Sequence, residues 1–275
     1  MLDFAIDREK CTKCGECARD CIFGVIVMTE DGPQLPAENE ARCIACQHCL
    51  SVCKPGALSI LGKNPDESLP IKKAFPSPEE MTALIEGRRS VRHYKKEPVS
   101  EDEIATLLNA AFFAPTAVNI RTGGFTVVDD PAVMESIRVV SRTRVAEILK
   151  TSGLPAGLER YENYLKSWTA ENDIVFRGAP QMIIATSHKD HHAGLVDTVI
   201  SLSYVELMAQ SMGLGTLWCG LAKLVLTMLA PELIERLGIP EDQEIGYIMM
   251  IGKPAVKYHR AVQRNPMAVH RVTTF

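Results

Sequence analysis

Residues 101–112 place Ile104, Leu107, Leu108 and Ala111 at i, i+3, i+4 and i+7, the spacing of one helix face. Ser100-Glu-Asp-Glu103 just before them is a capping box, in which serine and glutamate each satisfy a free N–H of the first turn. An earlier, shorter helix is predicted from Ser77, an N-cap followed by Pro78 at the first helical position and two acids. It carries Met81, Leu84 and Ile85 on one face and stops at Gly87. Gly123–Val128 reads as a strand. Asp130-Pro131 opens a helix bearing Val133, Ile137, Val140, Ile148 and Leu149, and residues 158–171 read as a further helix with Tyr161, Tyr164, Leu165 and Trp168. Met182–Thr186 and Ile245–Ile251 are continuous apolar runs, expected as buried strands. Residues 195–212 are apolar nearly all round, which predicts a central, buried helix closed by Gly213. Helices alternate with strands, but the first half holds too few strands for a doubly wound sheet. The expected class is α+β.

The first 62 residues have a different pattern, set by cysteine. Eight of the nine cysteines lie there, and Cys219 stands alone. The first run is Cys11, Cys14, Cys17 and Cys21; the second is Cys43, Cys46, Cys49 and Cys53, each 32 residues further on. Gly24 recurs as Gly56, and apolar residues follow both. This is an internal duplication, which predicts pseudo-two-fold symmetry. Zinc uses four ligands, often as two spaced pairs, and fits a third cysteine two residues after the second poorly. A disulfide scaffold belongs to shorter, exported chains. Three thiolates two residues apart can wrap one face of an iron–sulfur cubane.

Residues 1–62 resemble the two-[4Fe-4S] bacterial ferredoxins. In that pattern the fourth cysteine of each run ligates the other cluster. The resemblance implies Cys11, Cys14, Cys17 and Cys53 on one cluster, and Cys43, Cys46, Cys49 and Cys21 on the other. The family usually has proline directly after the fourth cysteine; here Ile22 and Lys54 stand there, with Pro55 one place late.

The polar, proline-bearing stretch after the clusters reads as a linker. The expected organisation is a cluster domain over 1–62, a linker over 63–77 and a second domain over 78–275. The whole chain has 275 residues, 46% hydrophobic and 23% charged, as in globular proteins. Its net charge of -4 gives no electrostatic support to a nucleic-acid partner. No run approaches a membrane span. The first residues have no basic region and no long apolar region of an export signal, so the expectation is a cytoplasmic protein.

Arg88-Arg89-Ser90-Val91-Arg92 packs three guanidiniums and a hydroxyl into five residues. Arginine offers forked donors suited to phosphate; a solvated basic patch is the alternative. After the capped helix comes Ala114-Pro115-Thr116-Ala117-Val118-Asn119. Together these segments resemble the opening of a nitroreductase-family flavoprotein. Gly213-Leu-Gly-Thr-Leu-Trp-Cys-Gly220 and Ile251-Gly-Lys-Pro254 are similar to later parts of that family. The resemblance covers about residues 80–265.

That family is an α+β fold binding FMN at the interface of an intertwined homodimer. The resemblance implies that Arg88, Arg89, Ser90 and Arg92 hold the FMN phosphate and ribityl chain, with a late basic residue, Arg264 in preference to Lys257 or Arg260, also reaching the phosphate. Pro115, Thr116 and Asn119 would approach the flavin from the partner subunit. Leu217, Cys219 and Gly220 would line its ring; Cys219 reads equally as an inert small hydrophobe. The pattern departs at Arg121, where the family often has glutamine, then proline and an aromatic. The small residues after Arg121 would open the site, and its charge favours an anionic substrate. His188, His191 and His192 read as a solvated loop rather than a metal site. No G-x-G-x-x-G follows a strand, so there is no dinucleotide fingerprint.

Two one-electron clusters beside an FMN predict a flavin oxidoreductase wired to an external low-potential donor. It would reduce a small electron-poor acceptor such as a nitro compound or quinone. The rival readings are an electron-transfer module serving a protein partner, and a domain that has lost flavin and only scaffolds the clusters.

Overall fold

A computed structural model describes residues 2–71 and 74–275. The chain divides into two compact units: Met1–Pro76 with Ala117–Ile120, and Ser77–Thr116 with Arg121–Phe275.

In the first unit, β1 (Phe4–Ile6) pairs antiparallel with β4 (Leu58–Ile60), and β2 (Val27–Thr29) with β3 (Gly32–Gln34). Two one-turn helices, α1 (Glu16–Arg19) and α2 (His48–Ser51), start inside the two cysteine runs. The duplication is repeated in the backbone. Lys13 and Ala45, Gly15 and Gln47, and Gly24 and Gly56 all take left-handed conformations, each pair 32 positions apart. Lys13, Ala45 and Gln47 do so without being glycine, at a steric cost that tight wrapping around a bulky group would offset. Cys17, Ile26, Cys49, Leu50, Leu58 and Ile60 form the small core. The stretch after residue 62 is more than a tether. Asn64 caps a 3₁₀ turn at Pro65–Glu67, and Lys10 Nζ sits 3.1 Å from Asp66. Lys72 and Lys73 of the expected linker lie outside the described residues.

The second unit is built on one antiparallel sheet. It consists of β5 (Gly124–Val128), β6 (Gln181–His188), β8 (Gln243–Gly252) and β7 (Gly215–Trp218), in that order. All contacts are antiparallel, as the α+β expectation requires. On β6, Met182 and Ile184 face one core while Ile183 and Ala185 face the other. The first core is closed by α5 (Pro131–Thr151), the short α6 (Glu162–Lys166), α8 (Gly220–Leu224) with the π-helical turn Val225–Leu229, and α9 (Glu232–Arg236). The second is closed by α4 (Glu101–Phe112) and α7 (Gly194–Ser211). A bulge at Ala185/Thr186 leaves Gly246 as the extra residue of β8, which is why Ile245 joins the first core although Tyr247 packs on the second.

Local signals held where they were strongest. α3 (Pro78–Gly87) and α4 both carry complete capping boxes, at Ser77/Glu80 and Ser100/Glu103. Two expectations need correction. The helix over 158–171 shrinks to a 3₁₀ turn and α6, because polar side chains compete with the helical ladder. The Ser167 hydroxyl donates to the Tyr164 carbonyl and Asn172 Nδ2 donates to the Ser167 carbonyl, where helical N–H groups would otherwise bond. The helix α7 is not buried all round: Leu195, Val196 and Tyr204 are exposed, and so are Met81 and Ile85 of α3.

Candidate cofactor sites

The first unit gathers its eight cysteines into two sets. Cys11, Cys14, Cys17 and Cys53 line a single cavity, with Gly15, Pro33 and Leu58 among its other walls. Cys21, Cys43 and Cys46 are the neighbours whose charges act on Cys49. Each set therefore takes three cysteines from one run and the fourth from the other. Burial, reinforced by those neighbouring thiols, pushes the Cys49 thiol up to about 11, and Cys17 shifts the same way. A cationic group among the thiols would offset the burial that disfavours the Cys17 and Cys49 thiolates. Among the described residues no three His, Cys, Asp or Glu side chains converge to hold a single ion. The donors ring a space instead. The two crossing cysteines also accept matching bonds: Val25 N–H to Cys21 Sγ at 3.4 Å and Ala57 N–H to Cys53 Sγ at 3.2 Å. The donor chemistry thus fits two all-thiolate clusters.

In the second unit the arginine segment lies along the sheet edge. Ser90 pairs in parallel with Thr216 of β7, and the Val91 N–H donates to the Thr216 carbonyl at 2.8 Å. Gly215 permits this approach, since a Cβ there would fall 2.8 Å from the Val91 side chain. The three arginines differ. Arg88 is held by Glu206 of α7 at 2.9 Å, in a largely buried ion pair. Arg89 Nη1 donates to the Arg88 carbonyl, while its Nη2 is buried with no partner. Arg92 is exposed and donates to the Ser90 carbonyl at 3.3 Å. An unpartnered buried guanidinium nitrogen is costly unless an anion completes it, so this segment fits a phosphate. Arg264 is not brought there: it sits in the exposed C-terminal tail and makes no hydrogen bond or ion pair among the described residues.

Residues 85–253 match the family model described as "Nitroreductase family". The chain belongs to the nitroreductase family. Residues 10–58 match the model of a "4Fe-4S dicluster domain". A putative NADH dehydrogenase/NAD(P)H nitroreductase of Archaeoglobus fulgidus is 26% identical over 196 residues, which is 70% of this chain and 98% of that protein. The NADH dehydrogenase of Thermus thermophilus is 27% identical over 197 residues, 67% of this chain and 91% of that protein. A Bacteroides fragilis nitroreductase solved with bound FMN shares the fold. It has a TM-score of 0.56 and 20% identity, and covers 70% of this chain and 99% of its own. These relatives are nearly used up by the match, so this nitroreductase carries a stretch that they lack.

The remaining expected site residues are spread over the nitroreductase unit and the 117–120 segment. Leu217 and Cys219 turn into the first core, and the Cys219 thiol donates to the Val175 carbonyl at 3.0 Å. Burial pushes that thiol up to about 11. At this position only the backbone is free to face a ligand, and Gly220 beside it keeps 3.0 Å between its notional Cβ and the Tyr247 hydroxyl. Because the folded thiol ionises later than a free one at about 8.5, its stabilising contribution is complete below that pH. It is lost as pH rises towards 11. Urea titrations should show stability falling across that window, with the fall shallower in Cys219→Ala.

Pro115 is exposed, and Thr116 Oγ1 accepts from the Arg121 N–H at 3.2 Å. Asn119 belongs to the cluster-bearing unit, where its Nδ2 donates to the Ile44 carbonyl, between Cys43 and Cys46, at 2.8 Å. Val118, Asn119 and Arg121 all take left-handed backbone, which is strained for a β-branched valine. The histidine loop differs from expectation. His191 is buried and its Nε2 lies 2.7 Å from Asp197, while His192 is exposed.

Sequence reasoning did not find Glu206. Its carboxylate is 118 positions from Arg88, and nothing local marks it. Glu206→Ala would leave Arg88 as an unpaired, mostly buried charge and should cost about 3–5 kcal/mol of folding stability, read from denaturant midpoints.

Proposed function

We propose that this oxidoreductase binds FMN and two [4Fe-4S] clusters, takes electrons through the clusters and reduces a small electron-poor acceptor. The observation that carries this reading is the fusion itself: one chain holds both the dicluster domain and the nitroreductase domain. When bound, the clusters supply one-electron transfer, and the flavin supplies the change to two-electron or hydride chemistry. Arg89, Ser90 and Arg92 hold the phosphate and ribityl chain, and Arg88, fixed by Glu206, positions the segment. Leu217, Cys219 and Gly220 present backbone to the flavin ring. Cys11, Cys14, Cys17 and Cys53 hold one cluster; Cys21, Cys43, Cys46 and Cys49 hold the other. Arg121 supplies positive charge for an anionic acceptor.

A second copy of the chain is the proposed cover for the exposed apolar residues of α3 and α7, which would account for α7 being apolar nearly all round. It would also bring Pro115 and Thr116 of one protomer towards the flavin of its partner. Among the described residues no helix is long and apolar enough to cross a membrane.

The relatives' names mention NADH and NAD(P)H, so the electron source is the point to test. The holoprotein, kept anaerobic, is mixed with reduced ferredoxin or with NAD(P)H, and flavin bleaching is followed in the wild type and in a cluster-depleted form. The expected result is fast bleaching by ferredoxin that disappears when the clusters are removed. Rapid bleaching by NADH without clusters would overturn the wiring. Full reduction with no turnover of any small acceptor would favour a protein acceptor instead.

A further inference from the structure

A cavity of about 380 Å³ lies within the nitroreductase unit, among the end of α4, the start of β5, the end of β6 and the N-terminus of α7. Its size is that of a small-molecule site. Leu108, Ala111, Phe112, Phe125 and Ala185 make apolar walls. Phe112 and Phe125 stand 6.3 Å apart between ring centroids, at 56°. Thr186, Ser187, His191 and Asp197 make its polar wall, and Arg121 and Gly123 also border the space.

The polar wall is built, and one group in it is unsatisfied. His191 is bound to Asp197, the Ser201 hydroxyl donates to the Asp197 carbonyl at 2.8 Å, and the Thr198 hydroxyl donates to the Leu195 carbonyl at 2.8 Å. Ser187 is 1% exposed, and its hydroxyl has no partner. Such a group is costly to bury, and a ligand oxygen would complete it. A Cβ on residue 194 would fall 2.2 Å from that hydroxyl, so Gly194 lets Ser187 sit directly on the first residue of the 18-residue α7. The positive end of the helix favours an electron-rich oxygen there. The Asp197 carboxylate opposes a full negative charge in the same place. Arg121 is the one arginine or lysine on the wall, and its guanidinium donates to the Phe112 carbonyl.

We propose that this cavity binds a small aromatic acid carrying an oxygen on its ring, with the carboxylate at Arg121, the ring against Phe112 and Phe125, and the ring oxygen at Ser187. Arg121 was expected to favour an anion; the cavity adds the body and the second polar anchor of the molecule. The inference deepens the reductase reading by naming a ligand class. It rests on that reading for the ligand's fate but not for its binding.

The test is calorimetry on the full-length holoprotein with 4-hydroxybenzoate, benzoate and methyl 4-hydroxybenzoate as probes. Arg121→Gln should weaken both acids about tenfold or more and leave the ester unchanged; Ser187→Ala should weaken the two hydroxylated probes about five- to tenfold and leave benzoate unchanged. Ser187→Ala removes a hydroxyl without a partner, so its melting temperature should not fall below that of the wild type. The proposal is overturned if the wild type binds none of the three probes, if the ester loses as much as the acids in Arg121→Gln, or if benzoate loses as much as 4-hydroxybenzoate in Ser187→Ala. Binding that follows the expected pattern in a protein whose flavin no donor reduces would sink the reductase reading and leave the site standing.

Discussion

Cys53→Ala is expected to remove one [4Fe-4S] cluster and halve the iron and acid-labile sulfide of the protein. Cys53 belongs to the second run in sequence but lines the cavity of Cys11, Cys14 and Cys17 in space. The alternative, in which each run holds its own cluster, predicts the same loss for any single variant. Double variants separate the two. Cys11→Ala with Cys53→Ala should cost no more iron than either alone, because both ligands serve one cluster. Cys43→Ala with Cys53→Ala should cost nearly all of it. Iron analysis and the electron paramagnetic resonance of the reduced protein read both outcomes, and the reverse pattern would overturn the crossed pairing. The crossing has a physical cause. Cys21 and Cys53 each come just after the helical turn that holds the third cysteine of the run, and the next glycine, Gly24 or Gly56, donates its N–H to the Cys21 or Cys53 carbonyl at 2.9 Å. Each chain segment thus leaves its own cavity, and the duplication makes the exchange reciprocal.

Arg89→Gln should lower FMN affinity about ten- to a hundredfold, the cost of one or two charge-assisted hydrogen bonds to phosphate. Titrating flavin-free protein with FMN and following flavin fluorescence measures it. The prediction is specific to Arg89, whose Nη2 is buried without a partner. Arg92 is exposed, so Arg92→Gln should weaken FMN less, since water screens its charge. Arg88 is committed to Glu206, so Arg88→Gln should lower folding stability more than it lowers affinity for FMN. Equal losses of affinity for the three variants would mean that the segment acts as an undivided basic patch.

The cysteine spacing, the Arg-Arg-Ser-x-Arg segment, the N-cap at Ser77 and the capping box at Ser100 are local patterns, and they determined the cluster module, a candidate phosphate segment and the starts of α3 and α4. Spacing suffices there because the groups act within a few residues of one another. The sequence also marked α7 as apolar nearly all round, but it could not say that Leu195, Val196 and Tyr204 stay exposed. Tertiary structure decided what depends on distant partners. It gave Arg88 to Glu206, turned the Cys219 thiol towards Val175, placed Asn119 on the loop of the second cysteine run and took His191 out of solvent to Asp197. It also ended the expected 158–171 helix at Lys166, where the Ser167 and Asn172 side chains claim the Tyr164 and Ser167 carbonyls. Burial sorts side chains that read alike along the chain. Three arginines within five residues are equivalent as sequence, and only packing leaves one of them, Arg89, with a buried nitrogen that has no partner.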